Sequence, residues 1–475
     1  MEMESRRREI ARRKRKKQRQ LRRRLAGGAA LIAVGLAAFV CVELRNREHE
    51  RYEGAEATSE PLEADHSERD RLVLHVADVE HEGAAGLPEC FDLRDVYDSL
   101  QVPDQGAFQT CWAFASLKAL ETTVKDGTEL SADHMTMRNH FGLGQDAGGD
   151  YSMASAYLLA WQGPVAEADD PYGDGDSPED AEPVYHVQEL QILGTKDPEV
   201  IKEAVYEYGG VQSACYMPQE AGAERERYYR EETCAFYYSG IQESNHDVVI
   251  IGWDDAYPKE NFAQQPEADG AFLCMNTWGQ EFGDSGYFYI SYEDSRIGET
   301  SVVYTGIEAA DNYDRVYQTD LCGWTGQIGY GTSRAWFANV YEAEEALELA
   351  AAGFYATVPE TAYRVSVKSL EAGETIGASG WMQAAEGSVG HAGYYTVRFE
   401  VPFPVESGKR FVVMIEIDSP GTAEPIAMEY RSGSRLSKVD IDDGEGYISS
   451  DGVTWERTET EYNCNVCLKA YATVK

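Results

Sequence analysis

Three residues of the chain have the types and the order needed to cleave an amide bond. Cys111 begins an apolar run with helical character, and the N-terminal dipole of a helix stabilises a thiolate. The imidazole of His246 can accept the thiol proton and later protonate a leaving amine, while Asn276 can orient that ring. Gln105 precedes the cysteine closely and can donate its side-chain amide to an oxyanion, beside the backbone N–H of Cys111. The pattern predicts acyl transfer through a thiol.

Helical patterns come first in the chain and strand patterns follow. We predict helices at Cys111–Val124, at Ala132–Phe141, and from Ser152 to about Gly163. From about residue 205, runs rich in β-branched and aromatic residues predict strands at 211–217, 234–238, 247–253, 271–275 and 287–292. A helical half followed by a β half indicates an α+β unit with two lobes. A cleft between the lobes would bring Cys111 to His246.

After Asn312 the pattern is purely β. Apolar residues alternate with polar ones over 363–367, 395–401 and 411–417, and Asp451-Gly452 is typical of a hairpin turn. Several short strands at regular spacing predict an all-β sandwich domain.

The chemical residues lie in segments that resemble those of papain-family cysteine peptidases. Residues 105–115 (QGAFQTCWAFA) resemble the family's active-site segment, 245–253 (NHDVVIIGW) its histidine segment, and 276–287 its asparagine segment. Gly148 and Gly149 match the glycine pair that binds the backbone of an extended substrate near the second and third subsites. The resemblance covers residues 87–308.

The resemblance implies a two-lobed fold and a peptidase that forms a thioester on Cys111 and needs no cofactor or metal. His246 would be the base, Asn276 its orienting group and Gln105 an oxyanion donor. Two tryptophans would support the site. Trp112 follows the nucleophile, and Trp278 would shield the His–Asn hydrogen bond from water.

Three positions depart from the family pattern. Phe108 stands where a bridging cysteine is usual, so that disulfide should be absent. Gln109 replaces a glycine near the first subsite and would narrow it. Asp247 replaces a small residue after the histidine, where its carboxylate could favour a basic substrate side chain, stabilise an imidazolium, or simply face solvent.

Residues 312–475 resemble the lectin-like domain that follows papain-like domains in some bacterial surface proteins. The resemblance rests on 317–318, 323–325, 329–331 and 335–340. It implies a cell-surface glycan as a partner. Trp324, Tyr330 and Trp336 could form a stacking platform for a sugar, although aromatic residues of a sandwich more often belong to its core.

The N-terminal residues differ sharply from the rest of the chain. Residues 1–24 are basic, 25–44 contain an apolar stretch of bilayer-spanning length, and 45–86 form an acidic stalk. We expect a signal-anchor with the body outside the cytoplasm, and a cleaved signal peptide, hence secretion, is the alternative. The net charge of −41 argues against nucleic acid as a partner.

Neither a metal site nor a disulfide pattern can be assigned from the sequence. The loops at 174–176 and 440–444 are read as acidic turns, because neither continues into a complete calcium loop. Of the nine cysteines, seven remain after Cys41 and Cys111, so at least one of these should be unpaired within the chain. Cys464 and Cys467 are read as structural.

Three functions compete. The leading one is a membrane-anchored endopeptidase acting on peptides or proteins. The second keeps the nucleophile but makes the protein a cell-wall amidase or transpeptidase. The third is a surface binding protein that has lost activity, and Gln109 and Asp247 are its best support.

Overall fold

The computed structural model describes residues 86–97, 100–219, 221–371, 373–377 and 379–475. The predicted basic segment, the signal-anchor at 25–44 and the stalk up to residue 85 lie outside these ranges. Within the described ranges, no helix is both long and apolar enough to cross a membrane.

The helices lie mainly in the first half of the described chain. They are α1 Cys111–Val124, α2 Ala132–Arg138, α3 Tyr151–Leu159, α4 Pro198–Glu207, α5 Ala223–Glu226 and α6 Thr458–Glu461. The predicted bounds of α1 are confirmed, and every residue of this helix is buried. Helix α2 is shorter than predicted. Helix α3 begins before Ser152 because Asp150 caps it, accepting a hydrogen bond from the backbone N–H of Ser152.

The first domain contributes nine strands to the part of the chain that the structure describes. They are β1 Cys90–Asp92, β2 Tyr185–Leu193, β3 Val211–Cys215, β4 Tyr229–Arg230, β5 Ala235–Phe236, β6 His246–Asp254, β7 Ala271–Met275, β8 Tyr287–Ser291 and β9 Ser301–Ala309. All five predicted strand regions contain a strand. The sequence pattern missed β2 and β9, which pair with each other and extend the sheet.

The rest of the chain is almost entirely β, as predicted. Its strands are β10 Arg315–Tyr317, β11 Gly326–Ile328, β12 Arg334–Glu342, β13 Leu347–Ala356, β14 Thr361–Leu370, β15 Met382–Val389, β16 Ala392–Val405, β17 Arg410–Asp418, β18 Ile426–Tyr430, β19 Gly446–Ser449, β20 Glu456–Arg457, β21 Cys464–Val466 and β22 Leu468–Val474. The hairpin turn at Asp451-Gly452 is confirmed, since β19 and β20 pair across it.

Two layers of these strands enclose the core of the second domain. Strands β13, β16 and β22 form one layer, and the sheet with the order β15-β14-β17-β12-β19-β20 forms the other. The apolar side chains between them include Phe354, Val365 and Ile415, all fully buried. This is the predicted sandwich.

The two domains share one sheet, which the sequence pattern does not predict. Strand β16 of the second domain pairs antiparallel with β2 of the first, with Tyr394 opposite Leu190. The sheet therefore runs through both domains in the order β10-β22-β13-β16-β2-β9-β3-β6-β7-β8-β5-β4. The core of the first domain likewise includes Tyr355 and Leu436 from the second. The domains are joined by backbone hydrogen bonds and by a common core.

Candidate active site

Cys111 is the first residue of α1, at the wall of a cleft between the helices and the sheet. The preceding Thr110 does not cap the helix with its side chain, because its hydroxyl lies 2.7 Å from the hydroxyl of Tyr172. The N–H of Ala113 donates to the carbonyl oxygen of Thr110 at 3.0 Å, so the N–H groups of Cys111 and Trp112 are the ones left as donors at this helix end. The geometry gives the sulfur a positively polarised helix end, as predicted.

His246 and Asn276 lie on neighbouring strands of the sheet. His246 begins β6, and Asn276 directly follows the end of the adjacent strand β7. The Nε2 atom of His246 lies 2.7 Å from the Oδ1 atom of Asn276, and both residues are buried. The Trp278 ring packs on the imidazole at 4.6 Å between centroids and limits the access of water to this hydrogen bond.

His246 faces Cys111 across a cavity of about 340 Å³, which both residues line. The remaining ring nitrogen of His246, Nδ1, is buried and has no hydrogen-bond partner among the described residues. Nε2 is held by Asn276, so Nδ1 is the nitrogen available to exchange a proton with the thiol. The structure thus brings together the three residues that the sequence singled out.

Burial opposes charge on each member of the pair taken alone. It raises the pKa of the Cys111 thiol to about 12, helped by the nearby carboxyl of Asp247. It lowers the pKa of His246 to about 4, partly offset by the hydrogen bond to Asn276. Transfer of the proton from sulfur to imidazole creates two opposite charges together, which compensate each other where a lone charge would not. The thiolate is therefore stabilised only as a pair with the imidazolium.

Gln105 lies beside the nucleophile, with its side chain fixed by two hydrogen bonds. Its Nε2 donates to the carbonyl oxygen of Phe108 at 2.7 Å, and its Oε1 accepts from the Thr277 hydroxyl at 2.6 Å. An amide nitrogen carries two hydrogens, so one remains for an oxyanion. Thr277 neighbours Asn276, and this bond links the oxyanion side of the site to the histidine side.

Gly148 and Gly149 form the wall of the cavity next to Cys111. Gly148 has a φ of +72°, which favours glycine. A Cβ atom on Gly149 would lie 2.5 Å from the ring of Trp112, so a side chain there would displace the indole. Trp112 thus supports the backbone of the glycine pair. The exposed Gln109 lines the same cavity and replaces a smaller residue at its rim.

Asp247 does not face solvent, which was one of the three interpretations of the sequence. Its side chain lines the cavity and the residue is only 8% exposed. Its hydrogen-bond partner is Gln212, whose Nε2 donates to Oδ1 at 3.4 Å. Burial, and next the charge of Asp150, raise the pKa of Asp247 to about 7.

Three acidic residues that were not predicted from the sequence line the same cavity, namely Asp150, Glu243 and Glu299. Asp150 could have been found, since it directly follows the glycine pair. Glu299 could not, because it precedes β9, a strand that the pattern did not reveal.

Replacing Asp247 with Asn is expected to stabilise the fold at pH 8 and to change little at pH 4. Below pH 4 both the folded and the unfolded chain bind the proton. Between about pH 4 and 7 only the folded chain keeps the proton on Asp247. The free energy of unfolding of the native protein therefore falls as the pH rises through this range. The cost at pH 8 is at most about 4 kcal/mol, from a shift of roughly three units. Thermal unfolding of both proteins at the two pH values measures it, and equal stabilisation at pH 4 would contradict this origin.

The three aromatic residues proposed as a sugar platform do not lie together. Trp324 packs near Tyr355 at the boundary of the two domains, with 5.8 Å between ring centroids. Tyr330 packs against the sandwich core, and Trp336 against a separate cluster that contains Met414. The three residues therefore do not form one surface, and their packing fits the interpretation that aromatic residues of a sandwich more often belong to its core.

The eight described cysteines, Cys111 included, are free. Phe108, at the position of the family's bridging cysteine, instead meets the ring of Tyr172 edge-on. Cys464 and Cys467 are buried, consistent with a structural role.

In the predicted acidic turn at 174–176, a carboxylate oxygen of Asp174 lies within 4.8 Å of carboxylate oxygens of Asp133 and Asp170. Asp133 and Asp170 accept hydrogen bonds from Gly173 and Ser177.

Comparison with known proteins assigns the first domain. The sequence model of the family described as papain family cysteine protease matches residues 87–307. Residues 87–307 are therefore similar to papain family cysteine proteases. A second model, described as lectin like domain, matches residues 316–472. The predicted succession of a papain-family cysteine peptidase and a lectin-like domain is confirmed.

Two solved structures contain both domains. One is the cysteine protease Cwp84 after propeptide cleavage, with a TM-score of 0.73, 26% identity, and coverage of 81% of this chain and 99% of that chain. The other holds the cysteine protease and lectin-like domains of Cwp84, a surface layer associated protein of Clostridium difficile. It has a TM-score of 0.71 and 25% identity, covering 83% of this chain and 91% of that chain.

The papain-family domain also resembles plant and animal peptidases. Cathepsin S of Bos taurus is 28% identical over 244 residues, covering 48% of this chain and 66% of that protein. Cysteine proteinase 15A of Pisum sativum is 26% identical over 259 residues, covering 51% of this chain and 68% of that protein. The similarity to both runs over about half of this chain.

Proposed function

We propose that the protein is an endopeptidase that cleaves polypeptides through a thioester on Cys111. The observation that carries the proposal is the buried His246, which lines the same cavity as Cys111 and is held by Asn276 at Nε2, so that Nδ1 of the imidazole is left without a partner among the described residues. Together with the similarity of the first domain to a family of cysteine peptidases, this favours hydrolysis over a binding protein without activity.

The proposed reaction has two halves. Cys111 Sγ attacks the scissile carbonyl carbon while His246 takes the thiol proton, and the oxyanion receives hydrogen bonds from the Cys111 N–H and from Gln105. When the tetrahedral intermediate collapses, the C–N bond breaks and the imidazolium gives its proton to the leaving amine. Water, deprotonated by His246, then attacks the thioester and releases the acid and the thiol. An amine in place of water would give the transpeptidase alternative.

We propose that the enzyme works outside the cytoplasm, anchored by residues 25–44. The basic residues before this segment and the acidic stalk after it support that orientation. The described similarity to a surface layer associated protein supports a surface location as well. A glycan of the cell surface remains the proposed partner of the lectin-like domain, although its three candidate aromatic residues are dispersed.

We further propose that the cavity beside Cys111 prefers a lysine or arginine side chain of the substrate, at the second position before the scissile bond. Asp150, Asp247, Glu243 and Glu299 line it, and no Lys or Arg is among its described lining residues. Arg435 pairs with Asp150 at 2.7 Å, and Arg296 pairs with Glu299 at 2.8 Å and Glu243 at 3.7 Å. Within the described chain, Asp247 is the one of these four acidic residues without a cationic partner. A cationic side chain of the substrate would supply that partner.

A pair of peptides that differ only at this position tests the proposal. We expect the peptide with Lys to be cleaved with a kcat/KM about tenfold or more above that with norleucine, as for a charged hydrogen bond. Because the pKa of Asp247 is about 7, the preference should grow from pH 6 to pH 8 as the carboxylate forms. Asp247→Asn should remove both the preference and its pH dependence. Cleavage without any preference would reject this specificity, and no cleavage of any peptide would reject the peptidase.

A further inference from the structure

A second cavity lies where the two domains meet. Its volume is about 340 Å³, and its walls combine Tyr151, Ser155 and Ile192 of the first domain with Trp324, Tyr355 and Leu436 of the second. Half of its ten lining residues are apolar or aromatic, and most of the cavity surface is apolar. A hydrophobic side chain entering the cavity would therefore exchange water for apolar contacts.

This interdomain cavity adjoins the cavity that holds Cys111. Asp150 and Tyr151 line both. On the other side of the active-site cavity, Gln109 is shared with a third cavity, which Gln105 and Trp278 also line. Three cavities thus follow one another with Cys111 in the middle one. Such a row fits an extended chain, which advances about 3.3 Å per residue and offers successive side chains to alternate faces.

The position of the second domain at this row is fixed by Arg435. Its guanidinium donates to both carboxylate oxygens of Asp150, at 2.7 and 2.9 Å, and to the hydroxyl of Ser152 at 2.8 Å. Its backbone carbonyl accepts a hydrogen bond from the N–H of Gly142 at 2.9 Å. The loop that carries Arg435 and Leu436 is therefore held to the residues that follow the glycine pair, and the cavity walls are preorganised.

The interdomain cavity also contains an unsatisfied polar group. Ser155 is only 4% exposed, and its hydroxyl has no hydrogen-bond partner among the described residues. A buried hydroxyl without a partner is unfavourable, and a backbone carbonyl or N–H of a bound chain can supply one.

We infer that the lectin-like domain forms part of the substrate-binding cleft. The interdomain cavity takes an apolar or aromatic side chain of the polypeptide, upstream of the residues bound at Gly148 and Gly149. The glycine pair fixes the direction in which the substrate chain runs. Asp150 and Tyr151, which directly follow the pair, line the interdomain cavity, so this cavity takes substrate residues upstream of those at the glycine pair. Gln105 lines the third cavity, at the opposite end of the row. This inference rests on the proposed peptidase function and makes Trp324 a specificity-determining residue supplied by the second domain.

Two peptides test the inference on the full-length chain. Both share the residues around the scissile bond, and the longer one continues upstream by three residues that include phenylalanine or leucine. We expect a kcat/KM ratio of long to short peptide of about tenfold or more in the native protein, since burial of one apolar side chain has an effect of that size. Trp324→Ala should bring the ratio close to one. A variant that merely folds poorly would lower cleavage of both peptides together and leave the ratio intact.

Trp336→Ala is the matched control, because it removes an indole from the same domain outside the cavity and should keep the native ratio. A native ratio near one, or a ratio unaffected by Trp324→Ala, would overturn the inference. The inference would also be overturned if Trp324→Ala left the ratio of long to short peptide unchanged but weakened retention of the protein on immobilised cell-wall glycan. That result would assign the cavity to a sugar. If neither peptide is cleaved by the native protein, the proposed peptidase function itself fails.

Discussion

Replacement of Cys111 by alanine is expected to lower kcat for peptide hydrolysis by about a factor of 10⁶, the effect of removing the nucleophile from a comparable catalytic unit. Without the sulfur no thioester can form, and the oxyanion donors and the substrate cleft leave only residual catalysis. The measurement is steady-state turnover of a fluorogenic peptide that has lysine at the second position before the scissile bond.

Cys90→Ala provides the control for this experiment. Cys90 is free and exposed at the start of β1, where it pairs with Asp254 at the opposite end of β6 from His246. Its replacement should leave turnover unchanged, which separates loss of the nucleophile from loss of any thiol. Substantial hydrolysis by Cys111→Ala would contradict the proposed thioester.

His246→Ala is expected to cost nearly as much as loss of the cysteine, and the double variant only slightly more than either single one. The two side chains act as a unit, because the thiolate of Cys111 is stabilised as a pair with the imidazolium of His246. Removal of either one removes the pair, and such effects are strongly non-additive. Turnover by the two single variants and the double variant measures the coupling.

The matched control is His391→Ala, which removes a histidine next to β16 in the second domain. This variant should cleave like the native protein. Additive losses in the Cys111 and His246 variants, with the double variant far below each single one, would show that the two residues act independently.

Much of the first domain could be predicted because its signals are local. The apolar run from Cys111 to Val124 shows the helix and its start directly, and the β-branched run after His246 shows strand β6. The catalytic residues stand at or beside the ends of these elements. Because a cleft between a helical lobe and a β lobe brings those ends together, the proximity of Cys111 and His246 could be predicted from the order of the elements.

What could not be predicted depends on contacts between distant parts of the chain. Strand β2 carries buried polar residues, Gln188 and Glu189, which weaken its apolar pattern. The Oε1 atoms of Gln188 and Glu189 accept hydrogen bonds from the hydroxyls of Thr396 in the second domain and Thr305 in β9, at 2.7 and 2.9 Å. A single sequence read in short windows contains no sign of such partners, so the common sheet of the two domains was missed.

The properties of individual site residues show the same limit. The sequence left open whether Asp247 faces solvent, because exposure is decided by the neighbouring strand and by Gln212. The sequence also left open whether Trp324 shares a surface with Tyr330 and Trp336, whereas the structure places Trp324 at the domain boundary. The chemistry of the site could be predicted from its residue types, whereas the environment of each side chain depends on tertiary packing.

The proposed binding of a cationic substrate side chain in the acidic cavity also gives a reason for the stability cost expected at Asp247. A buried carboxylate without a cation destabilises the fold, yet Asp247 is positioned where it can select a cationic side chain. We therefore expect Asp247→Asn to raise the free energy of unfolding and to lower the selectivity for a cationic substrate side chain. Such a trade-off between stability and function is common at functional sites.

The measurement that tests the central claim most directly is covalent trapping of the nucleophile in the full-length chain. The probe is a short peptide with lysine at the second position and a chloromethyl ketone in place of the scissile bond, so that the thiolate displaces chloride and forms a permanent S–C bond, and it is applied near pH 7 under mildly reducing conditions. Peptide mapping by mass spectrometry should find Cys111 as the modified residue, with the other cysteines unmodified and labelling lost in His246→Ala. Modification spread over several cysteines, or labelling of Cys111 that is as fast without His246, would contradict a paired catalytic thiol.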